Sequence, residues 1–163
     1  MPKLAPYRPR TLTPIARVPG LDYDVLDELL GYSLRRAQVT MFVAFHEATR
    51  GMDITPPRFT ALVMIGANPG MSQTALGNVL GIARSGAMLM TDWLEGRGLV
   101  ERRPQPGDAR AWRLHLTDRG GQVVERMKRK VLDLDLKKAH SLTKTERQEL
   151  LRLLGKLTNG KSA

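Results

Sequence analysis

The sequence predicts a mainly α-helical domain interrupted by one small β-hairpin. Three observations predict it. Long segments at both ends carry apolar residues every three or four positions, a tandem of short helices punctuated by glycine and proline lies between them, and apolar and basic residues alternate strictly from Trp112 to Leu116. A chain of 163 residues holds one sizeable core, and no stretch reads as a second independent domain. With 42% hydrophobic and 26% charged residues the composition is ordinary for a globular protein. No apolar run approaches the roughly 18 residues needed to cross a bilayer, so no membrane partner is expected.

The elements follow in order. Met1 to Gly20 carries four basic residues, no acid and five of the ten prolines. This segment reads as a basic arm, and it lacks the apolar stretch of a secretory signal, so a cytoplasmic protein is expected. Residues 21–163 form the domain. Leu26, Leu30, Leu34, Ala37, Met41 and Phe45 recur at helical spacing and predict one long helix from Asp22 to Arg50, ended by Gly51. Thr55 before Pro56 and Pro57 is a helix start, its hydroxyl a candidate cap, and that helix runs to about Gly66. Residues 67–71 read as a turn. Ser72 then caps a second short helix carrying Leu76, Val79 and Leu80 up to Gly81. A third runs from Arg84 to Glu95 and is closed by Gly96 and Gly98. Leu99 to Arg103 reads as a strand, residues 104–110 as a turn, and Trp112, Leu114 and Leu116, alternating with Arg113 and His115, as a second strand. Thr117 caps a long helix through about Ala139, and Thr143 with Glu146 forms a capping box for a leucine-rich last helix.

Charge points to a polyanionic partner. The net charge is +10, and it is clustered: residues 97–130 hold ten basic and four acidic side chains. Each cation that neutralises a phosphate releases a condensed counterion, so a clustered basic stretch is a nucleic-acid footprint. The absence of cysteine excludes disulfides, thiolate metal sites and thiol redox sensing. An enzyme is not expected. There are only three scattered histidines, His46-Glu47 lacks a second histidine four residues on, and Ser85 between Arg84 and Gly86 follows a helix where a nucleophile elbow needs a strand. No cofactor or metal is expected. RNA recognition ranks below DNA, because only 5% of residues are aromatic and none cluster into a stacking platform.

Three short helices followed at once by a hairpin form a winged helix-turn-helix, in which one helix enters the major groove and the hairpin reaches the backbone or minor groove. Leu80-Gly-Ile-Ala-Arg-Ser, Trp93-Leu-Glu-Gly-Arg-Gly-Leu-Val-Glu-Arg-Arg, Pro106-Gly-Asp-Ala-Arg-Ala and Leu116-Thr-Asp-Arg-Gly together resemble, in order and spacing, the MarR family of bacterial transcriptional regulators. The resemblance covers about residues 22–160. It implies a homodimer joined by helices at about 21–50 and 118–160, with a lobe at about 53–117 binding double-stranded DNA at a pseudo-palindromic site. It also implies repression relieved by a small-molecule effector.

Carried onto this sequence, the resemblance places Asp108 and Arg110 at the acidic and basic positions of the wing; the competing reading is a surface salt pair. Arg84 and Ser85 open the recognition helix, where a cation and a hydroxyl meet a base edge or phosphate. Ala83, Gly86, Met88 and Leu89 stand where many relatives carry polar residues. Met88 is a candidate for a thymine methyl, with DNA shape supplying further specificity, and equally Met88 and Leu89 are candidates for the core. Arg102, Arg103 and Arg113 flank the hairpin as phosphate contacts or as merely solvated cations.

For the effector the resemblance points to the first helix and the start of the second, and the candidates are Tyr32, Arg35, Arg36, Met41, Phe45 and His46. Arg36 is a candidate anion clamp, with Met41 and Phe45 around an aromatic body; the plain alternative is that the apolar pair is core. Leu30-Gly-Tyr-Ser-Leu-Arg-Arg-Ala-Gln is similar to the subset of the family that responds to aryl-coenzyme A thioesters. The effector class is therefore an aromatic acid or its aryl-CoA thioester, with Arg35, Arg36, Arg8, Arg10 and Arg17 as cations for the polyanionic part. The rival for the whole chain is a sequence-independent architectural nucleic-acid-binding protein, which high positive charge alone would explain.

Overall fold

The computed structural model describes the backbone of residues 13–105 and 107–159, and their side chains apart from residues 108–111 and 159. Six α-helices and a three-stranded antiparallel sheet follow one another as α1 (Leu30–Ala48), α2 (Pro56–Ala67), β1 (Met71–Ser72), α3 (Gln73–Leu80), α4 (Arg84–Gly96), β2 (Val100–Gln105), β3 (Asp108–Leu116), α5 (Asp118–Lys138) and α6 (Lys144–Asn159). The sheet order is β1-β3-β2. Phe45 from α1, Leu62 and Ile65 from α2, Leu76 from α3, Leu94 from α4, Leu114 from β3 and Met127 from α5 meet in one core. No helix among the described residues is long and apolar enough to cross a membrane.

Three local expectations are corrected. The helix expected to begin at Asp22 begins at Leu30, preceded by a single 3-10 turn at Asp24–Asp27. Local bonds hold this entry away from the α conformation. Asp24 sits at φ +45° with its amide donating to the Asp22 carboxylate, and the Val18 amide donates to the Tyr23 hydroxyl at 2.8 Å. Thr55 is the N-cap of α2 in extended conformation, but its hydroxyl makes no capping bond. The prolines after it have no amide hydrogen to cap. The turn at 67–71 runs directly into a strand, since Met71 and Ser72 pair with Leu114 and Arg113. Two residues are too few to show a period, and β3 alone makes them a strand.

The hairpin register sets Val100 opposite Leu116 and Arg103 opposite Arg113, with an irregularity at Pro104 and Gln105 near the tip. Proline donates nothing to the ladder and belongs on such an edge. Ser72 and Thr117 cap their helices as the sequence implies, accepting from the amides of Ala75 at 3.1 Å and Gly120 at 3.0 Å. Thr117 also donates to the Gly98 carbonyl at 2.7 Å, lacing the end of α4 to the start of α5. The box at Thr143 and Glu146 is closed in both directions, and these bonds hold the Glu146 carboxyl below its ordinary pKa.

Helix α6 lies apart from the core, with Leu150, Leu151, Leu153 and Leu157 exposed. Leu132 and Leu136 of α5 and Leu26, Leu29 and Leu30 near the start of α1 are exposed as well. Apolar surface of this extent is uncommon on a monomer.

Gly120 sets how closely α5 packs against the hairpin, because a Cβ there would overlap the Leu99 carbonyl carbon and oxygen. Gly120→Ala is expected to cost about 3 kcal/mol or more in urea denaturation, the upper end of overpacking. Gly121→Ala, where a Cβ meets nothing, is expected to raise stability by up to about 1 kcal/mol.

Candidate nucleic-acid interface and ligand cavity

Helices α3 and α4 form the helix-turn-helix. The turn needs Gly81 at φ +64°, a left-handed conformation that glycine adopts at low cost. Gly77 lets the two helices close up, since a Cβ there would stand 3.3 Å from that of Ala87. The inner face of α4 buries Ala87, Thr91 and Leu94. Its outer face therefore presents Arg84, Ser85, Met88 and Leu89 to solvent, with Met88 51% and Leu89 67% exposed. Neither is core, and α4 offers a cation, a hydroxyl and two apolar side chains along one surface.

Beside α4 stands the hairpin. Arg102 does not project from it: its half-buried guanidinium bonds Asp92 at 2.5 Å and also Glu95, tying β2 to α4. In the free chain Arg102, expected as a phosphate contact or a solvated cation, is engaged in ion pairs within the lobe. Arg103 is exposed and bonds Glu101 on its own strand at 2.5 Å. Arg113 lies directly across from Arg103 in the ladder. Like charges directly opposite are unfavourable on a sheet unless an anion lies between or beside them. Asp108 and Arg110 lie on β3 near the tip, and their side chains are outside the described residues.

Behind α4 a cavity of about 480 Å³ opens between α1 and the start of α2. Val39, Phe42, Pro56 and Met90 give it an apolar body, and Arg35, Gln38, His46 and Arg58 give it polar groups. One wall is connected to α4. The Arg58 guanidinium lies 3.6 Å from the centroid of the Trp93 ring, and Arg97 lies 4.7 Å from the same ring. Asp53 pairs with both, at 3.9 Å to Arg58 and in direct contact with Arg97.

The MarR family profile matches residues 54–112, from just before α2 into β3. A transcriptional regulatory protein proposed for the hcr operon of Thauera aromatica is 35% identical over 129 residues, covering 78% of this chain and 78% of that protein. The chain belongs to the MarR family. Among solved structures, the transcriptional repressor CouR bound to a 23-mer DNA duplex matches with a TM-score of 0.81 at 37% identity, covering 85% of this chain and 99% of that one. CouR bound to p-coumaroyl-CoA matches with a TM-score of 0.77 at 35% identity, covering 86% of this chain and 99% of that one.

In this MarR-family chain the residues singled out for an effector divide into two groups. Arg35 and His46 line the cavity. Phe45 does not: it is 6% exposed, packs against Phe59 with ring centroids 5.8 Å apart, and belongs to the core. Met41 is half-buried and lies outside the cavity lining. Arg36 donates to the Ile15 carbonyl at 3.2 Å and lies 5.8 Å from the Tyr32 ring, whose other neighbour is Tyr23. Those two residues hold the segment before α1. Arg17 is likewise engaged, bonding Asp27 at 2.7 Å, while Arg8 and Arg10 are outside the described residues. Gln38, Phe42, Arg58 and Met90 were not anticipated. The signal for the α1 members was a second stripe, Arg35, Val39, Phe42 and His46, beside the more obvious leucine stripe. Arg58 and Met90 had no local signal.

These placements give opposite expectations for two arginines. Arg84→Ala should weaken duplex binding about tenfold and reduce the slope of log affinity against log salt by about 1. Arg102→Ala should lower the melting temperature and leave that slope unchanged, as measured by anisotropy across a salt series.

Proposed function

We propose that the protein is a repressor that binds a pseudo-palindromic DNA site as a homodimer and is released by an aryl-CoA thioester. The observation that carries this reading is the sharing of Arg58: it forms part of the cavity wall and stacks on Trp93 of α4. A ligand that engages Arg58 changes what holds the recognition helix. CouR, a relative of the same architecture, is a repressor that binds both a DNA duplex and p-coumaroyl-CoA.

On this reading α4 enters the major groove with Arg84 and Ser85 leading and Met88 against a thymine methyl. Arg103 and Arg113 contact phosphates, and Asp108 and Arg110 direct the wing tip to the minor groove. The aromatic body of the effector lies against Val39, Phe42 and Met90. Arg35 and Arg58 meet its polar and anionic groups, Arg58 as a planar donor suited to a carbonyl or phosphate oxygen. The exposed leucines of α6, with those of α5 and the start of α1, form the dimer contact, which sets two recognition helices about 34 Å apart along the duplex.

Fluorescence anisotropy on DNA from the protein's own promoter, with excess competitor duplex, tests this directly. Release by p-coumaroyl-CoA but not by p-coumarate is expected, together with a change in Trp93 emission that is absent in Arg58→Ala. Specific binding undisturbed by any thioester would sink the effector class, and binding without sequence preference would favour an architectural protein. Arg110→Ala should weaken specific binding about tenfold, the scale of one lost charge-assisted contact, with the dimer intact by light scattering. Removal of residues 143–163 should abolish the dimer and specific binding together; a truncated chain that still binds as a dimer would contradict the assigned contact.

A further inference from the structure

Beside Trp93, and sharing no lining residue with the effector cavity, a second cleft of about 430 Å³ opens between the loop after α1, the end of α4 and the first turns of α5. Five cations line it, Arg50, Arg97, Arg119, Arg126 and Lys130, and no acidic side chain among the described residues does. Arg119, Arg126 and Lys130 share one face of α5 with Val123, at successive spacings of four, three and four. Ile54 and Leu99, both buried, give the cleft an apolar floor.

Two nearby carboxylates are already paired, one of them with a cation of the cleft itself. Asp53 is held by Arg58 and Arg97, and Glu125 by Lys128 at 2.8 Å, which keeps its carboxyl below the ordinary range. Lys130 reaches the Ala48 carbonyl at 3.4 Å. No ion pair among the described residues involves Arg50, Arg119 or Arg126. Like charges around a concave surface with a low-dielectric floor focus a positive potential, and guanidinium groups match phosphate oxygens in pairs.

We propose that this cleft is a second ligand site, separate from the effector cavity, that takes a phosphorylated small molecule with an apolar or aromatic body. Its volume lies in the range of small-molecule sites and exceeds what a lone phosphate fills. Backbone phosphates of the bound duplex are the other source of the same chemistry. The cleft lies at the Gly96 end of α4, about 20 Å along the helix from Arg84 at its recognition end. That distance favours the free ligand.

Calorimetric titration of the full chain with ADP, inorganic pyrophosphate and adenosine tests the assignment. ADP and pyrophosphate should bind and adenosine should not. Arg119→Ala with Arg126→Ala should weaken ADP binding about tenfold or more, while Arg35→Ala should leave it unchanged. Both α5 positions are exposed on a helix, where alanine is well tolerated, so the double variant should keep its melting temperature and its affinity for the promoter duplex. Failure of both phosphorylated probes to bind, or equal binding to the double variant, would overturn the proposal. So would a loss of duplex affinity in the double variant with a smaller salt slope, which would give these arginines to the DNA backbone.

Discussion

The structure depends on the joint where β2 begins, β3 ends and α5 starts. Gly120 lies against the Leu99 carbonyl, and Thr117 bonds both Gly98 and Gly120 across the same point. Three elements meet there: the end of α4, the base of the hairpin and the first turn of α5. Because the approach is backbone to backbone, it has little room to give. The angle between the hairpin and α5 follows from it.

A basic chain is not uniformly available to a polyanion. Arg102 is consumed by Asp92 and Glu95, Arg17 by Asp27, and Arg36 by the Ile15 carbonyl. Each of these cations orders part of the fold. Others, in no ion pair among the described residues, fall on separate surfaces: Arg84 at the start of α4, Arg113 on the sheet, Arg35 in the cavity beside α1, and Arg50, Arg119 and Arg126 around the α5 cleft. The positive charge is thus divided between bracing the fold and lining separate surfaces, a division that net charge alone does not reveal.

Trp93 connects two of these regions. Its ring carries Arg58 from the cavity beside α1 and Arg97 from the basic cleft, and Asp53 pairs with both. Asp53 adopts φ +49°, a left-handed backbone outside glycine. Strain of this kind costs of order 1–3 kcal/mol and persists where the surroundings impose it. Here it falls where two guanidinium groups meet the Asp53 carboxylate.

What the sequence determined by itself was local. Periodicity placed six helices, and strict alternation placed the hairpin. Ser72, Thr117 and the pair Thr143 and Glu146 announced their caps because a cap bonds within three residues of its own position. The outward face of α4 was legible at Arg84 and Ser85, while Met88 and Leu89 stayed open between surface and core until packing put Ala87, Thr91 and Leu94 inside. Tertiary structure alone decided the rest. It made a strand of Met71 and Ser72 by supplying β3, turned Phe45 into core, gave Arg102 to α4, and brought Arg58 and Met90 from separate elements to a cavity begun by α1. The physical reason is common to all four. Each depends on a partner far away in sequence, so no residue nearby records whether a long side chain ends in solvent, in an ion pair or against a ring.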